Sequence, residues 1–259
     1  MRKISSYCIP IIVALFYLFL YLPIFVLIIF SFNDNAFTNS WVSFTTDWYT
    51  DLFASTEVWY ALKNSLLIAS SAVFLSLTIG STFIFFGSRA VVQRLLLFFY
   101  ASLAMPEIVL AVGLLSLFSF LSVSLGATTL IVGHTLLGLG YVIPIVHGRF
   151  VELDESLIEA SYDLGATKKQ AFFTVVLPLL APALIAAGLL VFIISLDDFI
   201  ISFFCAGASV QTLPLYIFSV IRTGASPMIN ALSTIMLIAS SFFVFLFSFL
   251  QVKKIRGQK

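Results

Sequence analysis

Charge is scarce in this chain: only 10% of its 259 residues are Asp, Glu, Lys or Arg, while 61% are hydrophobic and the mean hydropathy is +1.13. A single soluble core cannot hide that much apolar surface, so lipid must cover much of it. Cysteine and histidine are almost missing. Cys8 and Cys205 fall near opposite faces of an expected membrane protein, which excludes a disulfide between them. His134 and His147 share one apolar run with no Cys, Asp or Glu among them, so ordinary helix packing is expected and no metal site. No G-x-x-x-x-G-K-[ST] loop is present, so the chain has no such phosphate cradle of its own. Ser195 stands beside Asp198 without a histidine at helical spacing, which argues against an intramembrane enzyme. Low-complexity linkers and short-period repeats are absent too, and one domain spanning 1–259 is expected.

Six apolar runs are long enough to cross about 30 Å of hydrocarbon as helices. They lie near Cys8 to Phe32, Asn64 to Phe86, Leu95 to Leu121, Ala127 to Gly148, Leu180 to Phe204 and Ile229 to Gln251. The first follows Met1-Arg2-Lys3 but exceeds a secretory h-region in length, so an uncleaved anchor is expected. With the amino terminus inside, eleven of the thirteen basic residues are cytoplasmic and only Lys63 and Arg222 lie outside. That asymmetry predicts six spans with both termini in the cytoplasm. The basic residues are scattered as topology signals and form no patch, so no nucleic-acid partner is expected. Outside, Asn33 to Lys63 carries Trp41, Trp48, Tyr49, Trp59 and Tyr60, a density suited to the lipid headgroup level, with Trp48 a candidate for solute contact. A short apolar piece, Leu213 to Ile221, predicts a half-helix too short to span. The uncharged turn Ser122 to Gly126 predicts that the third and fourth spans are antiparallel neighbours.

The inner segment 149–178 is organised rather than floppy. Leu153, Leu157, Ala160 and Leu164 recur at helical spacing, opposite Glu152, Glu155, Glu159 and Asp163. Gly165 stands where a helix C-cap would, and Thr167 with Gln170 reads as a capping box opening a second short helix that Pro178 ends. The run Glu159-Ala160-Ser161, then Gly165, Val175 and Leu177-Pro178, resembles the EAA motif in the membrane permeases of ATP-binding-cassette importers. Ser161 replaces the usual Ala and Val175 the common Ile, both without loss of fit. Asn64-Ser65-Leu66, Gly80 and Arg89 are similar to the start of the transport core in the type I permeases. The resemblance implies an all-α type I importer permease fold, a transporter subunit rather than an enzyme, and a loop that couples to an ATPase dimer through Glu159, Ala160, Ser161, Gly165, Leu177 and Pro178. It also implies a second permease, a periplasmic or surface solute-binding protein, a place in the cell inner membrane, and no cofactor on this chain, ATP being bound by the partner.

Three acids lie inside expected spans: Glu107, Asp197 and Asp198. A carboxylate in hydrocarbon is costly unless solvated, paired or protonated, so it marks a pathway by default. Rising about 1.5 Å per residue from Leu180, Asp197 and Asp198 lie roughly 25 Å up, in the outer half, with Glu107 near the midplane and Pro106 bending its helix. No Lys or Arg lies deep in any span to neutralise them, so a cationic solute is the expected partner, with Ser195 beside the path. Ser195-Leu196-Asp197-Asp198-Phe199, Met105-Pro106-Glu107-Ile108 and Thr223 to Ala231 resemble the permeases of spermidine/putrescine importers. That resemblance implies polyamine uptake by alternating access. The alternatives are another small cationic solute, or a proton-coupled secondary transporter in which the three acids relay protons.

Overall fold

The computed structural model describes residues 2–35, 40–224 and 227–256, with side chains over 10–35, 40–224 and 227–241. Cys8, the terminal basic residues and Ala225-Ser226 therefore fall outside the described side chains. Among the described residues every extended regular element is helical; one isolated antiparallel bridge joins Asn33 and Phe44. The helices are α1 (Arg2–Phe30), α2 (Asp47–Ala54), α3 (Thr56–Phe86), α4 (Arg89–Ala104), α5 (Glu107–Phe120), α6 (Ala127–Val151), α7 (Glu155–Asp163), α8 (Lys168–Ala171), α9 (Leu177–Asp197), α10 (Ile200–Cys205), α11 (Leu213–Thr223) and α12 (Pro227–Arg256).

Packing divides the chain into two compact units, Met1–Trp59 with Ile217–Lys259, and Tyr60–Tyr216. In the first, α12 rests on α2 and α1. The apolar side chains of Pro10–Phe30 stay largely uncovered, as a lipid-facing helix requires. Aromatics tie the chain just after α1 to α2 there: Trp48 Nε1 donates to the Asn33 carbonyl at 2.8 Å, and Phe32 packs between Phe44 and Tyr49.

In the second unit α6 is the central helix, packed against α9, α4 and α10. Close approach is possible because α6 carries glycine at its contacts: a Cβ on Gly133 would lie 2.8 Å from Ile201, and one on Gly138 2.9 Å from Val191. One core joins Val142, Val146, Phe172, Val176, Leu180 and Val191 to Ile84 and Phe85 of α3. A second gathers Ile68, Ala111, Leu114, Phe118, Leu130 and Ile201. At the start of α11, Ser65 Oγ accepts from the Leu213 N–H at 2.8 Å and Asn64 donates to the Gln211 carbonyl at 3.0 Å, which gives the Asn64-Ser65 pair its structural task.

Among the described residues four helices are long and apolar enough to cross a membrane: Pro10–Phe30, Thr56–Phe86, Ala127–Val151 and Lys168–Asp197. The expected third span is instead a pair, α4 and α5, bent by 112°. Met105, held extended at φ −76° and ψ 138°, is the cause: the residue before a proline is pushed out of the helical region, so Pro106 breaks the helix and does not merely curve it. Counting that pair once brings the total to five; the sixth expected span falls on α12, whose side chains are described only to Ser241. The expected fifth span also breaks, between Asp197 and Ile200, and α3 begins at Thr56, eight residues before the expected Asn64. Pro178 does not end a helix. A π-helical stretch, Phe172–Val176, links α8 to α9, with the Leu177 N–H reaching back to the Phe172 carbonyl, and this wider turn carries the chain past the proline ring. The turn after α5 places that helix chiefly against α10, with a smaller contact to α6.

Candidate functional site

The break between α9 and α10 begins with backbone chemistry. Asp198 is extended, at φ −67° and ψ 118°, and its carboxylate turns onto the start of α10, accepting the N–H of Ile201 at 3.2 Å and of Ser202 at 2.9 Å. These are orphan donors of a helix start, and an aspartate oxygen is well suited to them. Asp198 is also approached by His134 of α6, whose Nε2 lies 3.4 Å from Oδ2. The other ring nitrogen, Nδ1, lies 2.7 Å from Ser195 Oγ. With the proton on Nε2, the ring donates to Asp198 and accepts from the Ser195 hydroxyl, so all three groups are satisfied by one tautomer. All are buried, at 5%, 1% and 5% exposure for Ser195, His134 and Asp198.

Asp197 is exposed. Glu107, the first residue of α5, is half-buried, with its carboxyl against that of Asp198 and within the field of Asp197. The structure thus gathers the three acids at one junction of two broken helices, where the sequence suggested two separate levels. Among the described residues no Lys or Arg forms an ion pair with any of them. Trp48 belongs to the other unit, and its described role is the bond to Asn33. No helical spacing around Ser195 points to His134, because the histidine arrives from another helix 61 positions away.

The segment 149–178 forms the expected knuckle. Asp154 caps α7, accepting the Ser156 N–H at 3.0 Å, and the hydrogen bonds from the Ser156 side chain and backbone hold its carboxyl below the usual range. At Gly165, φ is +88°; its N–H bonds to the Tyr162 carbonyl at 2.8 Å and the Ala166 N–H to Ser161 at 3.0 Å, a Schellman ending. Thr167 and Gln170 close a reciprocal capping box, each receiving the other's N–H. Lys168 lies over the rings of Phe85 and Phe86, 5.7 and 5.5 Å from their centroids. Ser161 spends its hydroxyl on the Ile158 carbonyl at 2.7 Å, so it fits the place of an alanine.

Leu157, Ala160 and Leu164 do not face the chain's own core; Leu164 is 90% exposed, and the inward contacts come from Leu153 and Ile158. The inner face is already filled by Phe172 and Val176, so the apolar stripe is turned outward. Glu159 and Pro178 are exposed and Leu177 is half-buried. Beside α7 lies a groove of about 660 Å³, bordered by Phe85, Phe150 and Tyr162 and crossed by the Arg89–Glu155 ion pair.

A multi-pass helical protein with an exposed apolar knuckle and a charged break inside its helices has the features of membrane transport machinery. Residues 72–253 match the family described as binding-protein-dependent transport system inner membrane component, and the chain belongs to that family. It is a multi-pass inner-membrane subunit of an ATP-binding-cassette importer and a transporter component, not an enzyme. It is similar to the spermidine/putrescine transport system permease protein PotC of Haemophilus influenzae, 37% identical over 86% of this chain and 88% of that one. The Escherichia coli K12 PotC is 36% identical, over 86% of each chain. The putrescine transport system permease protein PotI of Escherichia coli K12 is 35% identical over 88% of this chain and 84% of that one. Among solved structures, a bacterial transporter importing the acidic polysaccharide alginate matches with a TM-score of 0.71 at 15% identity, over 96% of each chain. The MetNI methionine transporter matches with a TM-score of 0.57 at 20% identity, over 79% of this chain and 99% of that one. At those identities the structures share the fold alone.

Proposed function

We propose that the whole chain, 1–259, acts as one permease domain that passes polyamines into the cytoplasm by alternating access, with its knuckle seated on a separate ATPase dimer. A second permease completes the path, and a solute-binding protein delivers the solute. Both termini lie in the cytoplasm in this reading, on the strength of the basic-residue asymmetry. The observation that carries the solute assignment is the junction of Glu107, Asp197 and Asp198, which has no Lys or Arg partner among the described residues. Flexible polycations suit grouped carboxyls through charge-assisted hydrogen bonds. Three relatives bearing polyamine names support the same reading. ATP drives the cycle from outside this chain, and the ATPase meets the exposed Leu157, Glu159 and Leu164. Cells lacking their own polyamine uptake, given the full subunit set, are expected to accumulate labelled spermidine or putrescine in competition with the unlabelled solute. Uptake that is absent, or indifferent to excess polyamine, contradicts the reading.

A further inference from the structure

The three carboxyls at the junction are not equivalent. Asp197 is exposed and carries no described ion pair, whereas Asp198 is buried, caps α10 with both oxygens and has His134 at its side. His134 is braced in turn by Ser195 at 2.7 Å, with Ser202 Oγ 3.5 Å from Nε2. The ring therefore ties α6 to both sides of the break, to Ser195 at the end of α9 and to Asp198 and Ser202 at the start of α10. Packing leaves it little freedom, since Gly133 next to it sits where a side chain would meet Ile201 and Leu114. The titratable groups around it are Asp198 in contact, then Glu107 against Asp198, Asp197 on the same turn, and Cys205, which lies in the field of Asp198.

We infer that His134 is a positioning residue for transport: it holds Asp198 in the wall of the junction as the anchor of α10, and Asp197, with Glu107, is left as the carboxylate that meets the solute. This rests on the cation reading above. A buried imidazole that donates to one carboxylate both neutralises part of its field and fixes its direction. Without the ring, Asp198 keeps its two backbone donors but loses the side-chain partner that separates its task from that of its neighbour.

A double-mutant cycle on the importer complex with its partner subunits tests this, using His134→Leu, Asp197→Asn and Asp198→Asn singly and in pairs. Two quantities are read: uptake of labelled putrescine and spermidine per assembled complex, and thermal unfolding of the purified complex in detergent. His134→Leu and Asp198→Asn are each expected to lower uptake roughly tenfold, the scale of a lost hydrogen bond to a charged group. The pair is expected to be little worse than either alone, in uptake and in unfolding. Asp197→Asn is expected to lower uptake to the same degree whether His134 is kept or replaced by leucine, and to leave unfolding unchanged. His134→Gln, which keeps a donor toward Asp198, is expected to stay within about threefold of the parent, set against that tenfold loss. Effects at His134 and Asp198 that multiply independently in both readouts overturn the inference, as does coupling of His134 to Asp197 instead. If the parent complex takes up no polyamine, the solute assignment falls by itself, while the unfolding cycle still decides whether His134 holds Asp198.

Discussion

The knuckle after α6 and the junction between α9 and α10 are both short interruptions of helix, yet they are built in opposite ways. The hydrogen bonds that shape the turns of the knuckle are local, Asp154 to Ser156, Gly165 to Tyr162 and Thr167 to Gln170, with the exposed Arg89–Glu155 pair reaching further. Its large apolar side chains Leu157 and Leu164 point outward. The junction binds across distance, from α6 to α9 and α10, and turns its polar side chains inward. A segment that shows apolar groups to water needs a cover from another molecule, whereas one that buries polar groups is finished within the chain. Charge placed on the first should therefore disturb assembly, and charge removed from the second should disturb either the solute or the fold, depending on the residue.

The sharpest break of that contrast is Leu164→Asp. Burying a leucine is worth about 1.5–3 kcal/mol, and a carboxylate in its place adds desolvation, so ATPase affinity should fall on the order of a hundredfold while the permease itself unfolds at the parent temperature. Retention of the ATPase at parental yield on co-purification would mean that the stripe faces something else. Next in size are the two aspartates. Asp197→Asn should lower polyamine uptake roughly ten- to a hundredfold at low solute without a change in stability, and Asp198→Asn should lower both. Equal melting temperatures for the two variants would erase the distinction between them.

A smaller effect belongs to Gly165. A Cβ there meets nothing within 4 Å, so the penalty comes from the backbone alone. Gly165→Ala should weaken coupling by about 1 kcal/mol, and Gly165→Asn, which tolerates the left-handed region better, by less. ATPase activity stimulated by solute and binding protein would register the order Gly, Asn, Ala; a loss in Gly165→Asp beyond that of Ala would then report its charge. The smallest is a pH effect. The folded carboxyl of Asp154 is held below its ordinary value by Ser156, so the cap contributes above the unfolded pKa and is lost as pH falls through the folded one. Protection against hydrogen exchange in the first turn of α7, taken relative to the intrinsic rate at each pH, should fall below the usual carboxylate range, and Asp154→Ala should remove that pH dependence; protection that stays flat in the parent contradicts the cap.

Sequence alone determined the membrane class and the knuckle, because both rest on local rules: hydropathy over about twenty residues, and caps, glycine turns and capping boxes that operate within four or five residues. It also marked Glu107, Asp197 and Asp198, since charge in an apolar run stands out without any knowledge of contacts. Only the tertiary structure decided what surrounds them. That Pro106 breaks its helix by 112°, that Phe172–Val176 widens to carry the chain past Pro178, and that Leu164 faces outward depended on what was already packed beneath. The different fates of Asp197 and Asp198 lie furthest from the sequence. Adjacent and identical in type, they part because His134, 64 positions from Asp198, comes down α6 to meet one of them, and that meeting is set by helix packing through small residues rather than by any spacing along the chain.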